Sequence, residues 1–170
     1  MGKHLIFVYG TLLRGLENSH LLKASTFRFS AVTRDQFYMV SNENNGITTD
    51  GSNSYEPSTK LDPQEPYKYP YLLKRAVTDA HEAAQVIGEV FEVESEVLDE
   101  LDILEEHPSV YRRQEIAVLP TDDIDKEVTQ PIEGYVLENE EVFQDLKASM
   151  SSGRYRVVTG GSWAAYVKQP

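Results

Sequence analysis

The chain has no cysteine among its 170 residues. Disulfides, thiolate nucleophiles and cysteine-based zinc sites are therefore excluded. Long apolar runs are also missing. The first run is Leu5 to Val8, followed by the amphipathic Tyr9. A secretory core segment needs roughly 7–15 apolar residues and a membrane span about 20. No other segment comes closer, so a soluble, intracellular, cytoplasmic protein with no membrane partner is expected. Basic residues are scarce: 16 against 28 acids, a net charge of −12. Nucleic acid and anionic membrane surfaces are poor partners for such a chain. A solvated acidic surface is the ordinary reading, with Arg112 and Arg113 left as a local spot for a small anion.

Common catalytic motifs are missing too. No Gly-x-Ser-x-Gly elbow occurs. The turn Gly10–Gly15 lacks the Gly-Lys-Ser/Thr ending of a phosphate loop. His4, His20, His81 and His107 show no metal-ligand spacing. Asp122, Asp123 and Asp125 lack the turn glycine and closing Glu of a calcium loop. Neither a metal nor a cofactor is expected.

What is present fits a single domain over residues 1–170. Leu5–Tyr9, Thr26–Val32, Gln36–Val40 and Ala83–Val93 read as strands, with Gly88 a bulge or a point of close approach. Glu17–Leu22 reads as the start of a helix. Residues 41–66 are rich in Asn, Ser, Gly, Asp and Pro and read as a long loop insertion. Ser95–Glu106 is the clearest helix, capped by Ser95 and barred by Pro108. Tyr111–Leu119 and Ile132–Leu137 read as strands, Glu140–Met150 as a helix. Tyr155–Val158, a Gly160-Gly161 turn and Trp163–Val167 read as a C-terminal hairpin. Strand and helix do not alternate, so an α+β domain with a curled, barrel-like sheet is expected rather than a doubly wound one. The absence of a heptad or long apolar surface helix predicts a monomer.

Two features carry chemistry. The stretch LIFVYGTLLRGLENSHLL places Gly10 and Gly15 between the first strand and the next element. Either the chain only turns there, or backbone N–H groups must approach an anion. In SEVLDELDILEE, Val97, Leu98, Leu101 and Leu104 share one sector of a helix at roughly 100° per residue. Most acids, Asp102 among them, lie outside it, but Glu105 projects with the apolar residues. Either it sits at an edge, reaching water or pairing with Arg112 or Arg113, or it is an interior acid with a raised pKa, able to move protons near neutral pH.

These residues also carry a resemblance. VYGTLLRG, Val8–Gly15, with Asn18 and Leu22, resembles the opening of the gamma-glutamylcyclotransferase-like family. GEVFEV, Gly88–Val93, LDELDILEEHPSVYRR, Leu98–Arg113, and EGYVL, Glu133–Leu137, resemble its later segments. The gamma-glutamylamine cyclotransferase and AIG2-like branch is the most similar. The resemblance implies a mixed, barrel-like sheet closed around a cavity, with a few packed helices. It implies a small-molecule γ-glutamyl amide substrate, such as γ-glutamyl-ε-lysine, whose α-amine attacks the γ-carbonyl to give 5-oxoproline and a free amine. Carried over by position, Glu105 is the catalytic acid/base, and Tyr9, Gly10, Thr11 and Leu12 bind substrate. Tyr9 positions substrate or ends a core strand; Tyr111 lines the cavity or packs against it. Three departures stand out: the long loop at 41–66, Glu106-His107 where a small residue is usual, and a weak match after Met150. The same fold also suits a non-catalytic binding module or a cyclotransferase acting on γ-glutamyl amino acids.

Overall fold

A computed structural model describes residues 2–43, 68–123 and 125–169. Most of the expected 41–66 insertion lies outside the described residues. Its flanks are tied together, since Lys68 Nζ lies 3.2 Å from Oε1 of the buried Glu43.

Eight strands form one mixed sheet: β1 Lys3–Val8, β2 Thr26–Asn42, β3 Tyr69–Leu73, β4 Ala84–Glu94, β5 Tyr111–Glu115, β6 Val118–Pro120, β7 Ile132–Leu137 and β8 Tyr155–Val158. The main path runs β3-β2-β4-β1-β7-β5, with β6 and β8 also pairing to β2. The β1–β7 pair is parallel and the others are antiparallel. Among the described residues no ladder joins β3 to β5, so the sheet is α+β and mixed as expected but does not close into a barrel. The helices are α1 Ser95–Leu104, α2 Glu140–Ala148 and α3 Trp163–Val167.

Several elements differ from their sequence reading. The two strands expected at 26–32 and 36–40 are one, β2. The polar residues between them mark a shift in its register with β4 between Val32 and Gln36, a place where a long strand can bend and keep pairing. The segment after Glu17 is a 3₁₀ turn over Ser19–Leu22. The strand expected over 111–119 breaks into β5 and β6. The C-terminal hairpin does not form: β8 pairs with β2, and Trp163 begins a helix whose Ser162 cap accepts from the Ala165 N–H at 3.2 Å. The Trp163 side chain is fully buried, so core packing and a cap outweigh its strand propensity. Ser95 does not cap α1. Its hydroxyl lies 3.1 Å from both the Gly2 nitrogen and His4 Nε2.

That last contact sets the direction of α1. β1 and β4 are antiparallel, with Lys3 opposite Glu94 and Val8 opposite Glu89. α1 leaves the end of β4 beside the start of β1 and runs back along the sheet. Ten helical residues cover about 15 Å, close to the roughly 17 Å that β1 needs from His4 to Tyr9. The end of the helix is thereby brought to the end of β1. Apolar residues fill two clusters, one containing Ile6, Val8, Leu98 and Leu101, the other Phe7, Val90, Val136 and Trp163.

Gly88 is a point of close approach and not a bulge. A Cβ there would stand 2.2 Å from the Val8 carbonyl oxygen. Gly88→Ala should therefore destabilise the protein by about 1–3 kcal/mol, as overpacked cores do. That equals a fall of roughly 2–4 °C in melting temperature per kcal/mol at this size. An unchanged thermal melt would mean that β1 and β4 separate at no cost.

Candidate active site

The chain turns as soon as β1 ends. Tyr9 is buried, and its hydroxyl donates to the Tyr135 carbonyl at 2.6 Å. At Gly10 a Cβ would stand 2.6 Å from Cγ of Pro70, so only glycine fits between the turn and β3. The Leu13 N–H closes a tight turn on the Gly10 carbonyl at 3.0 Å. Asn18 closes the other side, its N–H on the Thr11 carbonyl and its Nδ2 on Thr11 Oγ1, both at 2.9 Å. Arg14 fixes the exit: its N–H and Nε meet the two Glu89 carboxylate oxygens at 2.9 and 2.6 Å. Gly15, at φ 86°, shapes the turn. Among the described residues, no acceptor meets the backbone N–H of Thr11 or Leu12. N–H groups in such buried residues are seldom left unpaired, so the loop holds two donors in reserve.

The second half of the site is the end of α1. Glu105 follows its last residue, and its N–H donates to the Leu101 carbonyl at 2.9 Å. Glu106 adopts φ 52°, the left-handed conformation usually given to glycine. Its N–H reaches the Ile103 carbonyl at 3.2 Å, and the His107 N–H reaches the Asp102 carbonyl at 2.9 Å. These paired bonds cap the helix, and they explain why a small residue suits position 106. β5 begins directly beyond, with the Tyr111 N–H on the Glu105 carbonyl at 3.3 Å.

Glu105 is half-buried as a residue. Its carboxyl is nonetheless surrounded by protein, and burial pushes its pKa up to about 8, with the Glu106 charge acting in the same direction. A group can keep some reachable surface and still lose most of its hydration. Among the described residues no cation offsets the loss. Arg113 turns to Asp102, its Nη1 lying 3.0 and 2.9 Å from the two carboxylate oxygens, and Arg112 is exposed and 4.0 Å from Glu138. The edge position paired to either arginine is therefore not adopted, and both arginines already face carboxylates.

Three phenols lie within electrostatic reach of Glu105. Burial first, then the Glu105 charge, raises the pKa of Tyr9. Burial, then Tyr9 and Glu105, raise that of Tyr111. Burial, then a hydrogen bond to Asp102, the Asp102 charge and Glu105, raise that of Tyr135. All three stay neutral at ordinary pH. The Tyr111 hydroxyl donates to the Pro70 carbonyl at 2.8 Å, and its ring stacks on Tyr71. Tyr9 and Tyr111 thus lie within electrostatic reach of Glu105. Tyr135, Asp102 and Pro70 had no role assigned from the sequence. The only available hint was that Asp102 and Tyr135 lie inside the segments LDELDILEEHPSVYRR and EGYVL.

On another side of the loop, an open groove of about 450 Å³ is lined by Leu12, Arg14, His20, Lys23, Phe27 and Phe91, among others. It shares Leu12, Arg14 and Gly15 with the loop but does not include Glu105, and the Arg14 charge in it is already paired with Glu89.

The raised pKa has a consequence for stability. Between the ordinary value of 4.5 and about 8, the folded state binds the proton that the unfolded state has released. Stability therefore falls as pH rises through this window. Glu105→Gln should remove that loss. The variant's melting temperature, relative to wild type, should be higher at pH 9 than at pH 5. After discounting for residual exposure, a gain of about 1 kcal/mol corresponds to roughly 2–4 °C. Equal differences at the two pH values would contradict a raised pKa.

Residues 6–164 match the family model for gamma-glutamyl cyclotransferase, AIG2-like. A Drosophila melanogaster protein named as a candidate gamma-glutamylcyclotransferase is 32% identical over 67% of this chain and 59% of its own length. The gamma-glutamylaminecyclotransferase A of Danio rerio is 33% identical over 65% of this chain and 56% of its own. The chain thus spans less than two thirds of either relative. In fold it is similar to the crystal structure of an AIG2-like protein from Mus musculus, with a TM-score of 0.53 and 24% identity over 82% of this chain and 79% of that one. The chain belongs to the gamma-glutamyl cyclotransferase, AIG2-like family.

Proposed function

We propose that the protein is a γ-glutamylamine cyclotransferase. One observation carries this reading: in a member of this family, the Glu105 carboxyl is buried with no counter-ion among the described residues, which raises its pKa to about 8, beside the turn that starts at Tyr9. The substrate's own α-amine is the nucleophile, so the protein needs no nucleophilic side chain. Holding the substrate folded supplies much of the acceleration.

Glu105, as carboxylate, takes a proton from the α-ammonium. The freed amine attacks the γ-carbonyl carbon, and the carbonyl oxygen becomes an oxyanion. The Thr11 and Leu12 N–H groups suit this oxyanion or the α-carboxylate. As the tetrahedral centre collapses, the bond to the leaving nitrogen breaks. Glu105 gives its proton to that nitrogen, then takes the second proton from the ring nitrogen, which the attack left cationic, and passes it to the released amine; the products are 5-oxoproline and the protonated amine, and Glu105 is a carboxylate again. One group of raised pKa serves first as base and then as acid. Tyr9 and Tyr111 wall the site, their hydroxyls already donating to main-chain carbonyls.

The testing experiment measures 5-oxoproline release from γ-glutamyl-ε-lysine and from γ-glutamyl-alanine. Release from the isopeptide is expected, and Glu105→Gln should lower kcat about 10²–10⁴-fold with the fold intact. Release only from the dipeptide would keep the chemistry and change the substrate. A Glu105→Gln variant as fast as wild type would falsify the assignment. The pH profile gives a second check. Because the carboxylate form is the base, kcat/KM should rise with pH through about 8. Glu106→Gln removes a like charge and should move that limb to lower pH.

A further inference from the structure

We propose that Asp102 is a positioning residue for Glu105: with Tyr135 and Arg113 it forms a clamp that locks the last turn of α1 against β5 and β7, and so fixes the Glu105 carboxyl facing the Tyr9 and Tyr111 phenols. This rests on the reading of Glu105 as acid/base.

Asp102 lies three residues before Glu105, close to one helical turn. Its carboxylate accepts from the Tyr135 hydroxyl at 2.6 Å and from Arg113 Nη1 at 3.0 and 2.9 Å. Its main-chain carbonyl accepts from the His107 N–H at 2.9 Å. His107 Nδ1 in turn accepts from the Arg113 N–H at 3.0 Å. The bonds form a closed ring from the Asp102 side chain through Arg113 and His107 back to the Asp102 carbonyl. Glu105 and Glu106 lie inside it. Arg113 Nε also lies 3.5 Å from Glu133.

Tyr135 couples the two halves of the site. Its hydroxyl holds the helix end through Asp102, while its carbonyl takes the Tyr9 hydroxyl at 2.6 Å and so holds the loop. The Asp102–Arg113 pair is only 22% and 21% exposed, so it is more than a solvated surface contact. Its geometry also gives Arg113 a partner other than Glu105. Without the clamp, the last turn of α1 would lose the Asp102 side-chain bonds that tie it to β5 and β7, and Glu105 could swing toward water. The titratable groups facing Glu105 are Tyr9, Glu106, Tyr111 and Tyr135, and none of them is a cation.

Two readouts separate positioning from mere stabilisation. The first is carbon-13 NMR titration of the glutamate carboxyls, with Glu105 identified as the resonance missing from Glu105→Gln. The second is the split between kcat and KM for γ-glutamyl-ε-lysine. In Asp102→Asn the Glu105 titration should move down toward the ordinary carboxylate range as water returns. kcat should fall about tenfold or more, with KM held within about twofold. Tyr135→Phe should move both in the same direction by less, and it decides the matter if Asp102→Asn fails to fold. Glu105 titration and kcat both unchanged in folded variants would overturn the clamp. So would a lower kcat with the titration unmoved, which is what a purely structural role produces. A wild-type Glu105 that titrates in the ordinary range would instead sink the acid/base reading itself.

Discussion

A carboxyl removed from most of its water with no cation beside it is unfavourable, and the rest of the structure is arranged around that constraint. Arg113, close in sequence, is turned to Asp102, and Arg112 points outward to Glu138. Of the groups facing Glu105, the Tyr9 and Tyr111 hydroxyls already donate to the Tyr135 and Pro70 carbonyls, the Tyr135 hydroxyl donates to Asp102, and Glu106 carries a like charge. Glu105 therefore keeps both a high proton affinity and oxygens uncommitted to any neighbour among the described residues. The proposed proton shuttle needs these properties, and among the described residues they come from the lack of a neutralising contact at Glu105.

The frame makes this affordable. Antiparallel pairing of β1 with β4 and a helix about as long as β1 bring the ends of β1 and α1 together. Apolar packing on this frame supplies the stabilisation: Leu98 and Leu101 of α1 are buried in the same cluster as Ile6 and Val8 of β1. Glycine matters where backbone and side chain crowd. Gly88 lets β4 pass the Val8 carbonyl, and Gly10 lets the loop rest on Pro70. The loop is fixed by its own bonds, through Asn18 to Thr11 and Arg14 to Glu89. The Thr11 and Leu12 donors, without an acceptor among the described residues, are thus held in place before any ligand arrives, which is what makes such donors effective.

The surface charge follows a different logic from the site. With a net charge of −12, most acids are spread over exposed faces, several paired with bases at the sheet surface, as Lys3 and Arg28 are with Glu92. Asp102 looks like one more of these on a helical wheel. It differs because β5 and β7 place Arg113 and Tyr135 against it.

Much of the chain could be read locally. The apolar run of β1, the alternation in β2 and β4, the periodicity of α1 and the inward projection of Glu105 all arise from neighbours within a few residues. Local patterns of this kind survive in the fold. They misled where long-range contacts decide. Trp163–Val167 is strand-like by composition but becomes helical because Ser162 caps it and the core takes Trp163. The two halves of β2 look separate because the exposed residues between them are polar, yet pairing with β4 resumes after a shift of register. Barrel closure depends on whether edge strands meet, which no local pattern encodes. Local pattern was enough to put Glu105 on the apolar side of its helix and a glycine turn after the first strand. Its neighbours came from long-range pairing, which sends Arg113 to Asp102 and lets Tyr135 join loop and helix across separations of 126 and 33 residues. A residue's charge and face are local properties, but its partners are fixed by which strands the sheet sets side by side.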